Sequence, residues 1–516
     1  MLRISRLFFL LLFGLFGMVG FTSSEEVPKT WVDEEMQKLA LPLADTTASP
    51  ALALADYYYR IPVRPIYRSY PVYHPDKEPA GYFEGLQKRK PELLWDDKGT
   101  RPQLNSQGDW IAAGELVFDA PIIIAGGGRL GPSLATNLVV RDAKWYAETG
   151  AAITPQGILP FYRYVVREQG KVEVGALSCA QCHTRLMPDG SAIKGAQGNF
   201  PFGKVFEHDM REVGVIEPAY RGMMHGLFSV PWLQPDPQAS VDPLPLSQIA
   251  EAHAATPPGV MARHGTGTWS PVQVPDLIGV ETRRYLDRTG LQRHRGPADL
   301  MRYAALNQGL DRLTTFKGML VSGQKDREPP EQVFEQRYSD EQLYALAKYI
   351  YSLKPPQNPN LPEEPEAKEQ VERGRAIFMN KDNRCATCHD PKQGYTNNKL
   401  VAAPGFQVPA DHPERDSIMR QRVDTDSTLT LATRRGTGLY KVPSLAGVWY
   451  RGPFEHNGSC ATLEDWFDPA RLNQDYVPTG WRGVPGTKTR SVKGHEFGLD
   501  LSREDRKDLI AFLKTL

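Results

Sequence analysis

The pentapeptide pattern Cys-x-x-Cys-His occurs twice, as Cys179-Ala180-Gln181-Cys182-His183 and as Cys385-Ala386-Thr387-Cys388-His389. No other feature constrains the fold of this chain as strongly. The pattern is the attachment signal of a c-type haem. Its two thiols reach the two vinyl groups on one porphyrin edge, and the histidine that follows then lies under the iron. With 5 cysteines in 516 residues, chance produces one copy in roughly a thousand such chains and two copies in about one in a million. A disulfide or a redox-active thiol pair is the competing use of Cys-x-x-Cys in an exported chain. Neither calls for the histidine after both pairs. The reading is two covalently bound c-type haems, on Cys179 and Cys182 and on Cys385 and Cys388, with His183 and His389 as iron ligands. Cys460 is left over and reads as a buried, unreactive thiol.

Residues 1–24 set the expected compartment. Arg3 and Arg6 precede an apolar run from Leu7 to Phe21, which Thr22-Ser23-Ser24 ends. That is the layout of a secretory signal. At 1.5 Å per residue the run spans roughly 22 Å, short of the ~30 Å hydrocarbon core, so it reads as cleaved rather than as an anchor. The expected location is the bacterial periplasm or the exterior, with no stable membrane span. Lys plus Arg and Asp plus Glu are both 61, which removes the basic field that nucleic-acid binding needs. Gly 45 and Pro 43 point to a loop-rich chain.

The chain repeats around the two motifs. Val274-Pro275-Asp276-Leu277-Ile278-Gly279-Val280 follows the first motif and returns after the second as Val442-Pro443-Ser444-Leu445-Ala446-Gly447-Val448. Ser339 with Gln342, and Ser502 with Asp505, then open two helices. Leu346, Tyr349, Ile350 and Leu353 match Leu509, Phe512, Leu513 and Leu516, all at the offset that separates Ser339 from Ser502. Apolar residues three and four apart make both segments amphipathic. Five prolines from Pro355 to Pro365 read as a stiff linker. The expected fold is mainly α: two tandem c-type cytochrome domains with a loop-rich N-terminal extension containing a few strands. The expected divisions are 1–24 signal, 25–165 extension, 166–354 first haem domain, 355–370 linker and 371–516 second haem domain. Residues 371–378 read as a short helix leading into Cys385, a compact start that the first domain lacks. Residues 115–118 and 121–124 read as strands, followed by Gly126-Gly127-Gly128.

This tandem pattern resembles the bacterial dihaem cytochrome c peroxidase superfamily. The resemblance covers roughly residues 100–516 and is most specific over 441–469. There Pro453-Phe454-Glu455-His456-Asn457-Gly458-Ser459 and Thr462-Leu463-Glu464-Asp465 match family motifs. The long extension and Gly494-His495-Glu496-Phe497-Gly498-Leu499 are similar to the branch that contains the dihaem rubber oxygenases. The resemblance implies a further ligand on the second haem, where peroxidases place a methionine just before the last helix. This chain has no methionine after Met419 and carries His495, shortly before Ser502. His495 is therefore the expected ligand, against Met379, Met419, His412 and a structural His456. At the first haem the family's distal histidine position falls on Asn199, which implies an open site. His208 and His225 are weaker candidates there, for which an ordinary structural role is the plainer reading.

The resemblance also implies a tryptophan relay between the haems, for which Trp269 is the candidate. Tyr285 is a candidate to face the first haem, and Arg283 and Arg284 to meet propionates. Calcium has no assignable ligand set. The function implied is a haem-dependent oxidoreductase. Its first haem meets peroxide or dioxygen, and its second relays electrons from a redox partner protein or small donor. A non-catalytic electron-transfer cytochrome is the alternative.

Overall fold

The computed structural model describes residues 26–48, 51–124, 139–214, 217–263, 265–308, 314–316, 319–320 and 335–516. The signal reading at 1–24 and the glycines 126–128 lie outside the described residues. The chain is 37% helical and 14% strand, a mixture rather than the mainly α chain expected. Among the described residues no helix is long and apolar enough to cross a membrane.

A four-stranded antiparallel sheet delivers the first motif. Its strands are β1 (Ser69–Tyr73), β2 (Ile123–Ile124), β3 (Ile158–Glu168) and β4 (Lys171–Ala176), in the order β1-β3-β4-β2. Tyr164 stands opposite Tyr70 on one side and Val174 on the other. Phe161, Tyr162, Tyr164, Val172 and Val174 are buried in one core with Phe200, Phe202 and Val205, and Cys182 packs against that core. The sheet occupies the stretch read as loop-rich, and the boundary expected at 165 falls inside β3.

Two helix pairs repeat. Helix α1 (Gln107–Asp119) packs on α3 (Asp340–Ser352), and α4 (Pro365–Met379) packs on α6 (Arg503–Lys514). Between the members of these pairs come the short motif helices α2 (Cys179–Cys182) and α5 (Cys385–Cys388). A β-carbon on Gly114 would collide with the Ala345 carbonyl and Tyr349, and one on Gly374 with the Asp508 carbonyl and Phe512. Glycine is what lets each pair of backbones approach. Phe118 meets Tyr349 at 5.1 Å and Phe378 meets Phe512 at 5.4 Å between ring centroids. Ala345 and Tyr349 precede Asp508 and Phe512 by the same offset that relates the Ser339 and Ser502 caps.

Three readings are corrected by these pairs. Residues 115–118 are not a strand but the second half of α1, which opens with a reciprocal Ser106–Asp109 capping box. The first unit does have a compact start, and it is α1, set apart from Cys179 by the sheet. Helix α4 opens at Pro365, inside the expected linker, because proline suits the first helical position. N-terminal residues pack onto the first helix pair: Trp31 and Tyr58 stack at 4.6 Å and are buried in the same core as Phe118 and Leu346.

Candidate functional site

Strand β4 runs straight into the first motif. Leu177 turns the chain at φ +58, and the Ser178 hydroxyl accepts the Gln181 amide to cap α2. The buried Gln181 side chain accepts the Leu177 amide at 2.5 Å. Both thiols are thereby fixed on one turn, and burial pushes each up to about 12. No cysteine in the chain is disulfide-bonded. His183 follows with its Nδ1–H donating to the Pro275 carbonyl at 3.0 Å. Burial pushes this imidazole down to about 4, so it is neutral and keeps the Nε2 lone pair for a metal. A carbonyl behind the ring is the usual way a ligating histidine is oriented.

The second motif repeats this arrangement with one addition. Arg384, at φ +59, leads into α5. The Pro443 carbonyl faces His389 and raises its proton affinity, but Nδ1 does not reach hydrogen-bonding geometry. The addition is His495. Its ring lies 6.3 Å from the His389 ring, centroid to centroid; His389 is buried and His495 half-buried, with its Nδ1 shut off from solvent. Two imidazoles on opposite sides of one metal, with nitrogen–metal bonds of about 2 Å and centroids about 1.1 Å behind the nitrogens, stand roughly 6.3 Å apart. The spacing is the one two imidazoles would need to hold one iron between them. Burial pushes His389 down to about 3 and His495 to about 4, which keeps both neutral, as ligands must be.

The other sequence candidates lie elsewhere. Met379 is 51% exposed. Met419 packs against the core of Val401, Tyr440 and Val442, with its sulfur 4.0 Å from the Asn397 amide nitrogen. His412 accepts the Glu414 amide at 3.1 Å. His456 pairs with Glu455 at 2.5 Å and packs on Tyr440. Around the first motif, the Asn199 side chain exchanges two hydrogen bonds with the Leu186 backbone. His208 lies 3.4 Å from Glu148, and His225 pairs with Ser229 and Asp242. Trp269 donates to Ser240 at 3.1 Å and packs against Tyr220, Met224 and Phe228.

Pro275 and Pro443, the residues behind the two motif histidines, line one small cavity of about 30 Å³. Arg283, Arg288, Lys441 and Arg451 share its wall with the lone carboxylate Asp276. Burial and the neighbouring arginines hold Lys441 well below its ordinary range. Nε of both Arg288 and Arg451 has no partner among the described residues. Such a wall suits carboxylates. Arg283 lines this cavity, whereas Arg284 pairs with Glu414 at 2.9 Å. Tyr285 also lines the cavity and donates to Glu414 at 2.5 Å. Sequence reasoning missed Arg288, Lys441 and Arg451. The flanks of the VPSLAGV segment were the available signal, since Lys441 precedes it directly and Arg451 follows it closely. No cluster of three or more His, Cys, Asp or Glu forms a metal site among the described residues.

No family model matches the chain. A cytochrome-c peroxidase of Denitromonas iodatirespirans, IdrP1, is 28% identical to it over 166 residues, which cover 28% of this chain and 40% of that protein. The chain therefore matches less than half the length of this relative. Among solved structures, hydrazine synthase of Kuenenia stuttgartiensis aligns with a TM-score of 0.29 at 17% identity, over 57% of this chain and 86% of that one. A MauG-like protein associated with microbial copper homeostasis aligns with a TM-score of 0.28 at 17% identity, over 48% of this chain and 73% of that one. The comparison in sequence is thus a weak homology to a cytochrome-c peroxidase over part of the chain.

Proposed function

We propose that the chain is an exported dihaem c-type cytochrome oxidoreductase whose two iron sites divide the work. When bound, a c-type haem supplies an iron that exchanges single electrons and, where one position is open, binds peroxide or dioxygen. Cys179 and Cys182 would tether the first group and His183 would hold its iron, steadied by the Pro275 carbonyl. Cys385 and Cys388 would tether the second, between His389 and His495. The carboxylates of both groups would meet Arg283, Arg288, Lys441 and Arg451 in the shared cavity. A closed second site suits electron relay from a redox partner, and an open first site suits chemistry.

One observation carries this reading: a second imidazole, His495, stands 6.3 Å from His389. The weak homology to a cytochrome-c peroxidase supports peroxide as substrate. A histidine where peroxidases carry methionine supports an oxygenase-like use of dioxygen. Carbon monoxide titration of the reduced protein, followed optically, tests the division. One molecule bound per chain is expected. None bound would make the protein a non-catalytic electron carrier, and two would remove His495 as a ligand.

A further inference from the structure

We infer that Arg471 is the positioning residue of the second iron site, holding the His495 loop in place and supplying a fixed positive charge beside it. This rests on the reading of His495 as an iron ligand. Arg471 is 0% exposed, yet it forms no ion pair among the described residues. Its guanidinium donates to four carbonyls instead. Nε reaches Trp466 at 2.8 Å and Nη1 reaches Val492 at 2.5 Å. Nη2 reaches Gly494 at 2.9 Å and His495 itself at 3.0 Å. The Val492 amide returns a bond to the Arg471 carbonyl at 2.6 Å.

The loop needs such a clamp. His495 sits at φ +49, a region that a β-carbon disfavours, beside Gly494 at φ +95. A β-carbon on Gly494 would collide with the Thr425 backbone. Locally the Phe497 ring packs edge-on against the imidazole at 5.2 Å, but it holds none of the loop backbone. Arginine suits the task because its five donors form a rigid planar fork, whereas lysine offers one compact ammonium. The guanidinium also stacks over Trp466 at 5.1 Å, and Trp466 packs on the His495 ring at 5.1 Å. One side chain therefore holds both the backbone and the wall of the ligand.

The charge has its own consequence. The opposing carboxylates, Glu455 and Glu496, act on Arg471 only from beyond ion-pair distance. Near an iron, a cation that no carboxylate contacts directly favours the state with one electron more, and so raises its reduction potential.

The test uses the haem-loaded protein with Arg471→Met, Arg471→Lys and His495→Ala. Arg471→Met should lower the midpoint potential of the second haem and broaden its low-spin signal. It should also raise carbon monoxide binding from one molecule per chain to two, with both covalent haems retained. Arg471→Lys keeps the charge without the fork, so it should recover most of the potential but not the sharp low-spin signal, and it serves alone if the methionine variant does not fold. An altered second-haem spectrum in His495→Ala, with wild-type spectrum and potential in both Arg471 variants, would reduce Arg471 to a packing residue. An unaltered spectrum in His495→Ala would instead defeat the ligand reading on which the inference rests.

Discussion

Gly114 and Gly374 occupy the same place in two helix crossings, each lying under the backbone carbonyl of a partner helix, at Ala345 and at Asp508. The equivalence extends to Phe118 and Phe378, whose rings meet Tyr349 and Phe512.

The crossing makes a stability prediction. Gly374→Ala should destabilise the protein by roughly 2–4 kcal/mol, since the added carbon meets backbone that cannot yield cheaply. Gly114→Ala should cost about as much. Gly85, on a helix with open space around it, is the control: its alanine variant should be neutral or gain up to about 1 kcal/mol. Denaturant melts measure all three. Equal stabilities would show that the helices slide apart freely.

Mass spectrometry of protein made with a working cytochrome maturation system should find two covalent haems per chain. Replacing Cys179 and Cys182 should remove one, and replacing Cys385 and Cys388 the other. A mass with one haem or none in the unaltered protein would end the dihaem reading.

His495→Ala and His456→Ala should separate a ligand from a structural histidine. The first should convert the second haem from low spin to high spin while keeping it attached. The second should leave the spectrum unchanged and cost about 1–3 kcal/mol, because it strips a hydrogen bond from the buried Glu455 carboxylate. The reverse pattern of spectra would transfer the ligand role to His456.

A buried carboxyl predicts a pH dependence. Asp209 is 4% exposed, neither oxygen has a hydrogen-bond partner among the described residues, and burial pushes its pKa up to about 8. His208 Nδ1 lies 3.5 Å away, and Tyr162 feels the carboxyl electrostatically. The folded state keeps a proton that the unfolded chain releases near the ordinary carboxyl value. Stability is therefore full below that value and falls as pH rises towards about 8, by roughly 2–5 kcal/mol. Asp209→Asn should flatten the loss between about pH 5 and pH 8 in thermal melts. An equally steep loss in the variant would place its source elsewhere.

The local chemistry is legible in the sequence. Two thiols and a histidine within one pentapeptide need only one helical turn to do their work, so the motif and its role are written in adjacent letters. The same holds for α3 and α6, whose Ser339 and Ser502 caps and three-and-four spacing of apolar residues are features of single segments. Helix α1 carries an equally clear box at Ser106 and Asp109, with Trp110, Ala113, Val117 and Phe118 along one face. Its β-prone run at 116–118 reads as strand when weighed without that period, and a sheet separates it from Cys179. Tertiary structure alone decided the rest. The resemblance singled out His495 by its place before the last helix, but only packing brings its ring within 6.3 Å of His389. Pro275, Lys441 and Arg451 became one cavity only when segments far apart in the chain closed on each other. Sequence periodicity reports which face of an element is buried, but not which distant backbone it is buried against. That choice is made by packing and by burial of charge, both of which depend on the whole chain at once.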